Sequence, residues 1–166
     1  MDIKIEQILN SLNSIEENEK TIFNKLLKSE NIFEIRDKLD RTILMNEIIY
    51  GQKPEIIEEL IKLGSDVHAT DSFNNTPLNL AATYSSNPVI IEILLIHGAD
   101  INHKRVSDQT ALISACICNK NIEIINTLIE SGIDVDAKDK HGKTALDYAK
   151  ELNKMKVIEL LEKYIL

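Results

Sequence analysis

The apolar and polar positions of this chain return in register every 34 residues. Thr42, Thr76, Thr110 and Thr144 mark the interval. The same offset carries Leu44 onto Leu78, Leu112 and Leu146, the pair Ile56-Ile57 onto Ile90-Ile91 and Ile124-Ile125, and Gly64 onto Gly98 and Gly132. A fixed period of this length is the mark of a solenoid, in which each unit buries its apolar face against the next. Within a unit, a threonine hydroxyl is suited to accept from the free N–H groups of a first helical turn. In Thr76-Pro77-Leu78, proline takes the first helical position, where its missing donor would have gone unused. The spacing therefore predicts a short helix after each threonine. Turn residues end it, Gly51-Gln52-Lys53-Pro54 in one unit and Ser85-Ser86-Asn87-Pro88 in the next. A second helix follows, with Ile90, Ile91, Leu94 and Leu95 at helical spacing and Gly98 suited to the left-handed conformation just past a helix end. A polar stretch, such as Asp71 to Asn75 or Asp139 to Lys143, then leads to the next threonine.

A stack of such units needs polar outer faces at its ends. The last helix offers Lys154, Lys156, Glu159, Glu162 and Lys163 on the side without a neighbour. At the other end, Ile22-Phe23 and Leu26-Leu27 precede Ile56-Ile57 and Leu60-Ile61 by the same 34 residues, and Phe33 precedes Val67 likewise. This places a second helix at 17–29, and Ile5, Ile8, Leu9 and Leu12 give a one-faced first helix at 3–13. The expected organisation is a helical capping region with a degenerate repeat at 1–36, repeats at 37–70, 71–104 and 105–138, and a C-terminal capping repeat at 139–166.

The residues of the second full unit resemble the ankyrin repeats. Asp71 to Ala82, containing Thr76-Pro77-Leu78-Asn79-Leu80-Ala81, follows that family's T-P-L-H-x-A pattern, and Ile93 to Asn102 continues it. Thr110 to Cys116 keeps Leu112 and Ala115, whereas the first repeat puts Glu47 where the family has a small alanine. The family period is 33. The extra residue falls in the turn between helices, around Ser85-Ser86 and Asn119-Lys120. In the fourth repeat Val157-Ile158 returns to the usual spacing after Ile124-Ile125. The resemblance implies an all-α solenoid of helix-turn-helix units joined by β-turn finger loops.

Composition narrows the partner. The chain has 166 residues, 43% hydrophobic and 28% charged, with a formal net charge of −8, which suits one folded unit and disfavours phosphate binding. An acidic chain would steer a basic protein partner, although net charge also serves solubility. No apolar run approaches the roughly 20 residues that span a bilayer, and the N-terminus lacks the pattern of a secretory signal. Two cysteines do not make a disulfide scaffold, so a reducing, cytoplasmic setting is expected. The expectations are no nucleic acid, no membrane and a monomer when free.

Candidate chemistry is sparse. Cys116 and Cys118 stand two apart on a helix, so they point about 200° away from one another and cannot share a metal ion. Cys116 aligns with Ala82, a position for small buried residues. His68, His97, His103 and His141 have no metal-ligand spacing, and neither a phosphate loop nor a nucleophile elbow is present. The chain is therefore expected to be a binder with no cofactor, and not an enzyme.

What the resemblance implies about binding is a partner taken by the fingertips and the inner helix face. The fingertip candidates are Leu39, Arg41, Phe73, Asn75, Val106, Gln109 and His141. A second stripe runs through Tyr50, Tyr84 and Cys118 at the ends of the first helices, serving either as an interface ladder or as packing between repeats. Glu55, Glu58, Glu59, Glu92 and Glu123 belong to the second helices and read as a solvated outer face. Two roles fit such a module. One is a stoichiometric inhibitor or immunity-like protein that neutralises a basic enzyme; the alternative is an adaptor or effector that recruits a cellular protein.

Overall fold

A computed structural model describes residues 32–118 and 121–165. The capping helices expected at 3–13 and 17–29, and the insertion expected at Asn119-Lys120, lie outside the described residues. The first layer of helices comprises α1 (Ile43–Asn46), continuing through a π-helical turn (Glu47–Gly51), then α3 (Pro77–Tyr84), α5 (Ala111–Cys118) and α7 (Ala145–Glu151). A second layer is formed by α2 (Pro54–Lys62), α4 (Val89–Ile96), α6 (Ile122–Glu130) and α8 (Met155–Leu161). Each helix contacts its own partner in the other layer and the equivalent helices of the neighbouring units. This is an all-α stack of helix-turn-helix units; no β-strand is assigned among the described residues.

The threonines act as the sequence predicts. Thr42, Thr76 and Thr144 accept at Oγ1 from the backbone N–H of Met45, Asn79 and Asp147, and each third residue returns the bond to the threonine N–H through its side chain. Thr110 accepts from Ile113 N–H at 3.3 Å. Such reciprocal caps satisfy donors that no helical carbonyl can reach, at about 1 kcal/mol each. At the other helix ends Gly64, Gly98 and Gly132 have φ of 115°, 88° and 87°, a region closed to most side chains.

The core follows the period. Leu44, Leu78 and Leu112 are buried, as are Ile57, Leu60, Ile90, Ile91, Leu94, Ile124, Ile125 and Leu128. Leu146 is half-buried, because α7 belongs to the last unit described and has a neighbour on one side only. Neighbouring units are also clamped across their turns. Gln52 donates from Nε2 to Tyr84 O at 3.1 Å and accepts at Oε1 from Ser86 N–H at 3.0 Å.

Glu47 is the exception in the first layer. Its counterparts are Ala81, Ala115 and Ala149, all fully buried, and Glu47 is fully buried too. Here the helix widens into the π form, with Gln52 N–H donating to Glu47 O five residues back at 2.7 Å. Oε1 accepts from Lys53 N–H at 3.3 Å, while Oε2 has no partner. Burial raises the carboxyl from 4.5 to about 6, against the Lys53 N–H and the Lys53 charge, which lower it, while Glu55 adds to the rise.

Candidate functional site

Three of the four loops that lead into a first helix are each shaped by one aspartate side chain. Asp71 Oδ1 accepts from the N–H of Phe73 at 2.8 Å and of Asn75 at 2.9 Å. Asp37 does the same for Leu39 and Arg41, and Asp139 for His141 and Lys143. The loops close through backbone bonds from Asp37 to Arg41, Asp71 to Asn75, Arg105 to Gln109 and Asp139 to Lys143. Adjacent loops are tied together along the stack, Ser72 N–H to Leu39 O, Val106 N–H to Phe73 O and Lys140 N–H to Ser107 O, at 2.9 to 3.1 Å. The result is a row of loops held at fixed spacing, a rigid platform for whatever side chains stand on it.

The third loop departs from the others. Arg105 stands where the other units have Asp37, Asp71 and Asp139. The partner nine residues on changes with it. Tyr148 donates to Asp139 at 2.6 Å and Asn46 to Asp37 at 3.4 Å, whereas Arg105 Nε donates to Ser114 Oγ at 3.1 Å. Every loop has a positive φ at its fourth residue, 60° at Asp40, 58° at Asn74, 58° at Asp108 and 74° at Gly142; this loop, without an aspartate to accept from its backbone, adds a φ of 72° at Ser107. Arg105 also donates to Gln109 Oε1, so Gln109 is half-buried and engaged within its own loop.

The loops and the ends of the first helices share one surface. Arg41 Nη1 donates to Tyr50 OH at 3.2 Å, and Lys143 Nζ bonds Glu151 Oε1 at 2.6 Å and stands 5.3 Å from the centre of the Tyr148 ring. On that surface Tyr50 is 53% exposed, Tyr84 51%, Phe73 49% and Val106 52%. Tyr50 and Tyr84 share one register at the helix ends, while Phe73 and Val106 stand at different positions of adjacent loops. Leu39, Cys118 and His141 are also exposed. Ile49 and Ile117, one residue before Tyr50 and Cys118, pack instead against the core.

Asn75 requires a correction. It was expected at a fingertip, but it is buried, its Nδ2 donating to both carboxylate oxygens of Asp71 at 3.1 and 3.0 Å. The side chain braces the loop through its Nδ2. No sequence signal separates it from Arg41 and Gln109, which occupy the same register; the difference lies in which way the side chain turns.

Charge is divided between the two layers. The loops bear Lys38, Arg41, Lys104, Arg105, Lys140 and Lys143 together with the exposed Asp40 and Asp108 and three aspartates that face inward to their own backbone N–H groups. Most glutamates of the described residues lie on the second helices, with Glu55, Glu92 and Glu123 exposed, whereas Glu47 and Glu151 belong to the first layer. A net charge of −8 therefore does not describe the loop edge. An exposed apolar stripe on α4, including Ile96 at 80%, also escaped the sequence reading. Its signal was available, since the same register carries Lys62 in α2 and Glu130 in α6.

The described residues offer little for catalysis. No three His, Cys, Asp or Glu side chains among them are grouped to hold a metal ion. Burial pushes the Cys116 thiol up to about 12, in spite of the Lys154 charge, so it is no nucleophile. Among the same residues no helix is long and apolar enough to cross a membrane.

A family model described as ankyrin repeats (3 copies) matches residues 12–105 and 90–165. Comparison with curated proteins gives no match.

Proposed function

The chain belongs to the ankyrin repeat family, and from that premise we propose that its loop row and first-helix ends form the face that binds a protein partner. The family typically mediates protein–protein interactions and its members are generally non-catalytic scaffolds. The observation that carries the reading is the set of half-exposed Tyr50, Tyr84, Phe73 and Val106 on loops and helix ends tied into one surface. Rigid aromatic side chains lose little entropy on binding, and centrally placed ones contribute roughly 2 kcal/mol or more each. Leu39, Arg41, Gln109, Cys118 and His141 complete the face. In this reading the loops are the fingers of units spanning 37–70, 71–104, 105–138 and 139–166.

The finer form of the proposal is a free monomer that inhibits its partner stoichiometrically by covering it. A basic partner would be steered toward the chain by its net charge as a whole, not by the loop edge itself. The adaptor role differs in one consequence, that the partner stays active in the complex. A photo-crosslinking residue placed at Phe73 in native cells tests the face. The expected result is one discrete crosslinked protein whose yield falls at least tenfold, about 1.4 kcal/mol, when Tyr84→Ala is added. Crosslinking that ignores Tyr84→Ala, or its absence at position 73, sinks the reading. The retrieved protein's activity with and without this chain separates inhibitor from adaptor.

A further inference from the structure

The outer layer of helices has one break in its polar surface. Glu55, Glu59 and Lys62 of α2 and Glu123, Thr127 and Glu130 of α6 share a register in which α4 carries Val89, Ile93 and Ile96. These three follow the spacing of a single helix face. Ile96 is 80% and Val89 41% exposed, and Ile93 is half-buried. Together with α2 they line a groove of about 470 Å³ whose polar lining is Glu55, Glu58, Glu92 and His97. Glu58 is paired with Lys62 at 2.6 Å, an exposed contact that a partner's cation could replace at little cost.

We propose that this groove docks a basic amphipathic segment of a protein partner, with an apolar side chain on Val89, Ile93 and Ile96 and Lys or Arg on Glu55, Glu58 and Glu92. The charge of the rim selects among occupants. A second copy of the chain would bring the same glutamates toward one another, and nucleic acid or an anionic lipid surface would be repelled. A cationic peptide gains at both the floor and the rim, the mode by which an amphipathic helix lies in an apolar groove. The loop edge mixes lysines and arginines with aspartates and lacks that complementarity. The inference rests on the reading that the chain binds protein, but it uses a face separate from the loops.

The test is a titration of the isotope-labelled chain with a short leucine–lysine peptide patterned as an amphipathic helix, followed through its backbone amides. Shifts over residues 55–62 and 89–97 are expected, together with at least tenfold weaker binding by Ile96→Lys and by Glu92→Lys at an unchanged melting temperature. A leucine–glutamate peptide of the same pattern should leave these amides in place. Shifts confined to 38–41 and 72–74, equal binding by Ile96→Lys, or equal binding of the acidic peptide would overturn the proposal. So would a parent chain that sediments as a dimer and is made monomeric by Ile96→Lys, which would make a second copy the occupant. Crosslinking at Phe73 does not involve this groove. Its success beside a failed titration removes this inference alone, and the reverse outcome removes only the loop face.

Discussion

Replacing Glu47 by glutamine should make the protein more stable at neutral pH and leave it unchanged in mild acid. The carboxyl is fully buried at a position where the other units carry alanine, and one of its oxygens has no partner. Burial raises it from 4.5 to about 6, so the folded state holds this proton more tightly than the unfolded chain does. Its contribution is therefore complete below about pH 4.5 and is lost as pH rises through about 6. The displacement corresponds to about 2 kcal/mol of penalty at neutral pH. Glutamine keeps the volume and removes the charge, which isolates this group from the exposed carboxylates, whose effects are common to both proteins. Urea unfolding followed by circular dichroism at about pH 4.5 and about pH 7.5 measures the difference. Coincident curves at the lower pH and a gain of about 2 kcal/mol for the variant at the higher are expected. A variant no more stable than the parent at neutral pH would refute the argument that an ionised, desolvated carboxylate is strained there.

Gly51→Ala in the parent places a methyl group onto the Glu47 carboxylate; it should destabilise by about 1 kcal/mol or more, and become neutral once Glu47→Ala is present, a coupling read from a double-mutant cycle. Leu94→Ala empties a fully buried site in α4 and should cost roughly 2 to 5 kcal/mol by urea unfolding. Asn75→Ala removes the brace on Asp71 and should cost about 1 to 2 kcal/mol while leaving the crosslink yield from position 73 within twofold. Phe73→Ala should do the opposite, melting like the parent and weakening the partner complex tenfold or more.

The architecture was legible because a solenoid is stabilised by contacts between neighbours. Whatever one unit presents to the next must recur at the period, so threonine caps, leucines, isoleucine pairs and glycines in register specify the helix stack without any long-range knowledge. Glu47 is legible as a misfit by the same comparison, although widening of the helix to hold it is not. The candidate face was legible as a set of positions, since loops and helix ends follow from the period. Which of them reach solvent was decided only in three dimensions. Asn75, Arg41 and Gln109 occupy one register, and they diverge because Asp71 captures the first, Tyr50 accepts from the second and Arg105 binds the third. The Val89–Ile93–Ile96 stripe looks in sequence like more core of an apolar helix. Only the packing of α4, with Ile90, Ile91 and Leu94 turned inward, shows that Val89 and Ile96 are left facing out with Ile93 half-buried between them. Periodicity determines which residues belong together, because the same neighbour contacts repeat; exposure depends on side-chain direction and on the particular neighbour, and that is settled by the tertiary structure.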